Sequence, residues 1–386
     1  MNDTLQNLHR LYGNASDLLQ RDDSDEIVRE VLSKYSCNER SAMEDVQLVI
    51  LKPDAVSSGK ALRIAEFLVE NDIAILWAKP IFNFNKHQYE ELYRFNIGTA
   101  HQNSMVGKLW ILRQPFELNL SILLLVKRMA RSAHESSFQK INKIKGSSTP
   151  YDAQKGQIRY DFIGCSYVLN LIHASDDPIS SLREISIFCD DLEVRDIIER
   201  IKTIKETSGE CELSNENLNK VQYICGSLGP PSTDADLSSA YVRLIQKTAL
   251  FLGQHGLVES LYQILGALPR HDHRGPRVKF KNTFDKVLET SLSFESEIDG
   301  LHSSLPFNAM YAAEVIRDVS TWNYDIVSNA ISGLRNIGIP ISDWDSLILL
   351  TNAEYASSLT EFLNVPKVWV ETQSSPPQDC SSQRDS

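Results

Sequence analysis

Apolar residues along the chain fall into short unbroken runs alternating with stretches of helical spacing. The run Val46-Gln47-Leu48-Val49-Ile50-Leu51 predicts a buried strand. After Ser57-Ser58-Gly59, the residues Leu62, Ala65, Leu68 and Val69 recur on one helical face. Residues 73–84 return to strand character, and residues 87–95 predict a short helix. Residues 96–117, which carry Gly98, Gly107 and Pro115, predict no regular element. A third strand is expected over residues 120–126, a polar helix over 132–145, and a loop at Gly146-Ser147-Ser148-Thr149-Pro150. Residues 168–173 predict a fourth strand, and Asp177 is placed to cap a helix that starts at Pro178. The order β-α-β-β-α-β is that of a ferredoxin-like α+β sandwich. Many unrelated functions use that fold, so the order alone names no chemistry.

The flanks differ from this central unit, which is expected to span residues 46–205. Residues 1–45 predict a helical N-terminal extension of two short polar helices, the second capped by Ser24 with a face of Ile27, Val28, Val31, Leu32 and Tyr35. Residues 206–236 are rich in Ser, Gly, Glu and Asn, include Gly229-Pro230-Pro231-Ser232, and read as a linker or exposed excursion. Beyond it, residues 237–268, 280–298, 309–331 and 353–363 are helix-like, so residues 237–371 are expected to form a mostly α-helical domain with its own core. Residues 372–386 lack apolar anchors and are expected to be a disordered tail.

At 386 residues with 42% apolar content, the chain is too long for one ordinary core and suits two domains. It holds no run of eighteen apolar residues, which excludes a spanning helix, and Met1-Asn2-Asp3 does not open a secretory signal. The six cysteines are scattered without metal or redox spacing, as expected for incidental thiols in a reducing cytoplasm. A net charge of −12 argues against nucleic acid as a partner but leaves room for a locally positive nucleotide pocket.

Chemistry concentrates in two segments. One is Ile50-Leu51-Lys52-Pro53-Asp54-Ala55-Val56. The other runs Lys155-Gly156-Gln157-Ile158-Arg159-Tyr160-Asp161-Phe162, then Asn170-Leu171-Ile172-His173-Ala174-Ser175-Asp176, with Glu184 following. In order and spacing these resemble the nucleoside diphosphate kinase family: its Lys-Pro-Asp-Gly-Val, its Pro-Gly-Thr-Ile-Arg-Gly-Asp-Phe, and its Asn-Ile-Ile-His-Gly-Ser-Asp with a later glutamate. The resemblance implies that His173 accepts the γ-phosphate of a Mg²⁺-bound nucleoside triphosphate and passes it to a nucleoside diphosphate or nucleotide-like acceptor. It makes His173, Glu184 and Lys52 the catalytic candidates, and Lys52, Tyr89, Phe95, Ser148, Arg159 and Asn170 the nucleotide- and phosphate-binding ones. No metal site in the protein itself is expected; Mg²⁺ would arrive with the nucleotide.

The residue types suit that work on their own terms. A neutral imidazole keeps one ring nitrogen free near neutral pH, and an acceptor such as Glu184 would fix its tautomer. Lys52, Arg159 and Asn170 would offset phosphate charge, because phosphoryl transfer is mostly positioning plus charge stabilisation.

The sequence also departs from the family. Ser148 stands for its nucleotide-loop threonine and Asn142 for an arginine, a lost cation that Lys143 or Lys145 could replace as a point charge. Tyr89 fits the tyrosine of the base clamp, but the family's Arg-Pro-Phe-Phe has become Arg94-Phe95-Asn96-Ile97, and Ala174 replaces a glycine. The alternative is a weak or inactive nucleotide-sensing domain whose helical half engages a protein partner. The resemblance allows a homo-oligomer without fixing one; a cytoplasmic location is expected, and no membrane association. In the second half only Arg270-His271-Asp272-His273-Arg274-Gly275-Pro276-Arg277 has chemical character, read as a metal or anion site or a solvated basic turn. The helical half is expected to supply no catalytic group.

Overall fold

The computed structural model describes residues 24–82, 84–94, 109–129, 135–148, 152–207, 209–254, 311–312, 315 and 322–354. In chain order its elements begin with α1 (Ser24–Lys34), α2 (Cys37–Ala42), β1 (Gln47–Leu51), α3 (Pro53–Ser57), α4 (Ala61–Glu70), β2 (Ile73–Ile81) and α5 (Lys86–Leu92). Next come α6 (Leu109–Leu118), β3 (Ser121–Arg128), α7 (Ser137–Lys145), α8 (Ile158–Asp161), β4 (Ile172–Ala174) and α9 (Pro178–Phe188). They are followed by α10 (Asp191–Thr207), α11 (Glu210–Ser227), α12 (Leu237–Gln254), α13 (Tyr324–Asn336) and α14 (Asp343–Glu354).

The four strands form one antiparallel sheet in the order β2-β3-β1-β4, the ferredoxin-like arrangement expected from the element order. Strand β1 is central, with Ile50 opposite Leu123 on one side and His173 on the other. Successive side chains of a strand point to opposite faces, so strands that are apolar at nearly every position need cover on both. The sheet has it. Leu48, Ile50, Leu123 and Leu125 pack with α1, α5, α9 and α10, while Val49, Leu51, Ile122 and Leu124 pack with α4, α7 and α11.

The described part of the N-terminal extension is therefore part of the core, through Val28, Val31 and Tyr35. A third cluster joins α12, α13 and α14 to Ile111 of α6 and to Cys165, Val168 and Leu169, just ahead of β4.

Three segments differ from the sequence expectation. Residues 109–118, read as irregular, form α6 with Pro115 inside it. One missing backbone donor is tolerated there because the helix buries Ile111 in one core and Phe116 in another. The expected linker contains the eighteen-residue helix α11, which packs on β2 and α4. The Ser214 hydroxyl accepts the Ile75 amide at 3.0 Å, and Asn217 Nδ2 donates to the Ile75 carbonyl at 3.1 Å. Two polar side chains thus satisfy the outward-facing backbone of an edge strand.

The fourth strand is three residues and not six. Leu171 has φ +72°, and Ile172 N donates to Asn170 O at 2.9 Å, a γ-turn that breaks the extended run ahead of it. The basic cluster at 270–277, the tail at 372–386, Phe95 and much of the predicted helical domain lie outside the described residues.

Candidate active site

Three connections on the open side of β4 bring the charged motif residues together. Lys52 ends β1 and precedes α3; its amide donates to the Leu171 carbonyl at 2.9 Å. Asp54, in the first turn of α3 and fully buried, accepts the Leu171 amide at 2.8 Å through Oδ2. The two ends of Lys52-Pro53-Asp54 thereby hold both backbone groups of the strained Leu171. That turn aims Asn170 and His173 to their places. Backbone outliers of this kind cost roughly 1–3 kcal/mol and persist only where the surroundings over-determine them.

His173, the middle residue of β4, keeps 18% of its side chain exposed. Its Nε2 lies 2.9 Å from Glu184 Oε2 on α9, and Ser175 Oγ donates to the same oxygen at 2.6 Å. Asp177 sets the helix that carries Glu184, accepting the amides of Ile179 and Ser180 at 2.9 Å each. Arg183 Nη2 stands 3.7 Å from the other carboxylate oxygen, and its Nη1 is tied to the Glu91 carbonyl. A carboxylate can only accept, so this contact selects the imidazole tautomer with its proton on Nε2 and its lone pair on Nδ1. The Tyr93 ring meets the imidazole edge-on at 5.8 Å between centroids. Burial, with Glu184 second, pushes its phenol well above the usual range, so it stays a neutral hydroxyl.

Lys52 is 4% exposed and donates to the Val168 carbonyl and, at 3.0 Å, to Asn170 Oδ1. Burial pulls its ammonium down to about 8; Arg159 acts the same way and Asp54 opposes them. Arg159, on α8, is 5% exposed. It donates to three carbonyls: Asn170 at 3.2 Å, Gly146 at 2.9 Å and Ile172 at 2.9 Å. Burial lowers it to about 10, which leaves it charged at neutral pH. Asn170 Nδ2 donates to the Tyr167 carbonyl at 2.8 Å and the Ser148 carbonyl at 3.2 Å, so Ser148 enters the network through its backbone while the residue itself is exposed.

Asn142 and Lys143 are exposed on α7, but Lys145 at its end is half-buried and turned inward. Burial and Arg159 pull its ammonium down to about 8, opposed by the carboxylates of Asp176 and Glu184. Of the two lysines weighed as replacements for the missing arginine, Lys145 is the one that feels the charges of Arg159 and Glu184.

Tyr89 is not at the site: it is 3% exposed and packs against Phe116 and Tyr93 in the core. The ring that meets His173 is four residues further on. Sequence reasoning passed over Tyr93, Asp54 and the Ser175 hydroxyl, although the last two stand inside the matched motifs. Helical spacing from Tyr89 was the available signal for Tyr93.

Comparison with known proteins relates the stretch that holds these residues to one family. The family model described as "Nucleoside diphosphate kinase" matches residues 45–194. The nucleoside diphosphate kinase of Thermococcus kodakarensis is 30% identical over 145 residues, covering 36% of this chain and 74% of that protein. That of Halalkalibacterium halodurans is 46% identical over 54 residues, 14% of this chain and 36% of the relative's length. Among solved structures, a crystal form of the Aquifex aeolicus nucleoside diphosphate kinase aligns at a TM-score of 0.32 and 22% identity, over 39% of this chain and 97% of that one.

Proposed function

The chain belongs to the nucleoside diphosphate kinase family, and from that premise we propose that it moves the γ-phosphate of a nucleoside triphosphate through a phosphohistidine at His173 to a nucleoside diphosphate or nucleotide-like acceptor. One observation carries this reading: Glu184 occupies Nε2 of His173 at 2.9 Å and so reserves Nδ1 as the nucleophile.

In the first half-reaction the Nδ1 lone pair forms a bond to the γ-phosphorus while the bond from that phosphorus to the β,γ-bridging oxygen breaks. The diphosphate leaves with the electron pair. The ring becomes cationic, and the Glu184 carboxylate, held by Ser175, offsets that charge. In the second half-reaction a terminal oxygen of the acceptor attacks the phosphorus and the electron pair returns to Nδ1. Lys145, Lys52 and Arg159 supply positive charge around the transferred group, and Tyr93 a neutral donor.

Mg²⁺ would come as an ion carried by the nucleotide, as the family resemblance implies. Bound with the phosphates, it would spread the charge of the leaving diphosphate. No described helix is long and apolar enough to cross a membrane.

The test is incubation with Mg²⁺ and γ-labelled ATP. An acid-labile, base-stable label should appear on the wild type and vanish in His173→Ala. Absence from the wild type, or survival in the variant, removes the reading. A second reading has its own support: Lys52 and Arg159 donate hydrogen bonds to protein oxygens. That arrangement suits a nucleotide sensor with slow or absent transfer. Tight binding of a fluorescent triphosphate without labelling of His173 would select it.

A further inference from the structure

The C-terminal helices do not stand apart from the site. We infer that α14 belongs to its frame and that Thr351 is a positioning residue, holding the loop that sets where the Lys52 ammonium stands. This rests on the phosphotransfer reading above, in which Lys52 offsets phosphate charge.

A chain of hydrogen bonds with a single polarity connects the two halves. The Leu169 amide donates to Ser166 Oγ at 3.1 Å, Ser166 Oγ donates to Thr351 Oγ1 at 3.2 Å, and Thr351 Oγ1 donates to the Ile348 carbonyl at 3.1 Å. Each hydroxyl proton has one destination. Thr351 is fully buried and Ser166 is 1% exposed, so water offers neither an alternative partner. Beside them Asn352 Nδ2 points at Cys165 Sγ from 3.4 Å. The amides of Cys165 and Ser166 both donate to the Leu169 carbonyl, at 2.7 and 3.1 Å, and this closes the loop on itself.

The loop has two faces. Cys165, Val168 and Leu169 are buried in one core with Leu347 and Ile348 of α14. On the other side its carbonyls serve the site: Val168 O accepts from Lys52 Nζ, and Tyr167 O accepts from Asn170 Nδ2 at 2.8 Å. Asn170 Oδ1 is the remaining acceptor of Lys52, at 3.0 Å. Both oxygens that fix the ammonium are therefore placed by a loop whose far side is anchored in α14. Valine at 351 keeps the shape of threonine but leaves the Ser166 hydroxyl without an acceptor, and the loop must shift to reach one.

The experiment uses the full chain with Thr351→Val and Thr351→Ser. In the first arm, lysines are labelled with limiting acetic anhydride, and acetylation of Lys52 is measured by mass spectrometry relative to exposed Lys220. Loss of one buried hydrogen bond should raise the ratio about fivefold in Thr351→Val and leave Thr351→Ser like wild type. An unchanged ratio in Thr351→Val overturns the inference, whether or not the histidine takes phosphate. In the second arm, the rate of His173 labelling at saturating Mg²⁺–ATP should fall about tenfold in Thr351→Val and recover in Thr351→Ser. In a Lys52→Ala background Thr351→Val should then cost nothing more. An equal loss in both backgrounds would mean that Thr351 acts through general stability, and would also overturn it. A wild type that never labels sinks the phosphohistidine reading alone, because the acetylation arm still decides the position of Lys52. Should Thr351→Val fail to fold, Ser166→Ala cuts the same chain from the loop side and carries the same expectations.

Discussion

Glu184 accepts from His173 Nε2 and Ser175 Oγ through a single oxygen, so its charge and its geometry can be separated by substitution. Glu184→Gln keeps an oxygen for both donors but removes the charge that offsets the imidazolium. It should lower the rate of phosphohistidine formation by roughly 100-fold with little change in nucleotide affinity, read by single-turnover labelling and fluorescence titration. Equal loss in both measurements would mean that Glu184 supports binding and not the chemical step. A pH dependence follows from the cations. Lys52 and Lys145, both lowered to about 8 by burial, lose their charge as pH rises through that value, while Arg159, at about 10, keeps its own. Triphosphate affinity should be full below about pH 7 and decline toward about pH 9, and Lys145→Arg should flatten the decline. A wild-type affinity constant across that range would exclude both lysines from the phosphate site. At this scale the candidates His173 and Glu184, eleven positions apart, came from the order and spacing of motifs that resemble the family, not from their residue types alone. Tyr93 was not legible, since one tyrosine looks like another until Tyr89 is seen 3% exposed in the core.

Among the elements, the turn ahead of β4 matters most for what the site can do. Asp54 holds the amide of Leu171 at φ +72°, and its Oδ1 has no hydrogen-bond partner among the described residues. Asp54→Ala would leave that amide unpaired and release the turn. It should cost about 1–3 kcal/mol of stability, measured by urea unfolding, and reduce labelling of His173 further than the lost stability explains. Labelling at the wild-type rate would show that the turn need not be held. Strands β1 and β3 could be read from sequence because unbroken apolar runs have few alternatives in a sheet covered on both faces. The fourth strand was overdrawn because Val168, Leu169, Leu171 and Ile172 continue the apolar pattern while the backbone at Leu171 does not. Helix α11 was misread for a different reason: its contact with the sheet runs through Ser214 and Asn217 as well as Leu213 and Val221, and polar anchors look like linker composition.

For the molecule as a whole, the shared core around Cys165, Val168 and Leu169 argues against two halves that melt separately. Helix α6 adds to this, with Ile111 in the C-terminal core and Phe116 in the core beneath the sheet. We expect one cooperative calorimetric transition for the full chain, with helical circular dichroism and nucleotide binding lost together. Two resolved transitions, the first leaving nucleotide binding intact, would show that the C-terminal helices are an independent unit. The capped edge of β2 has a consequence of another kind. An open outer strand is a template on which a second chain can lay its own backbone, and here Ser214 and Asn217 already occupy the donor and acceptor of Ile75. Copies of this protein have no invitation to extend the sheet there. Clumping through the β2 edge must wait until α11 has peeled away, so along that route the kinetics of its detachment, more than the stability of the sheet, should set how long a warm solution stays clear.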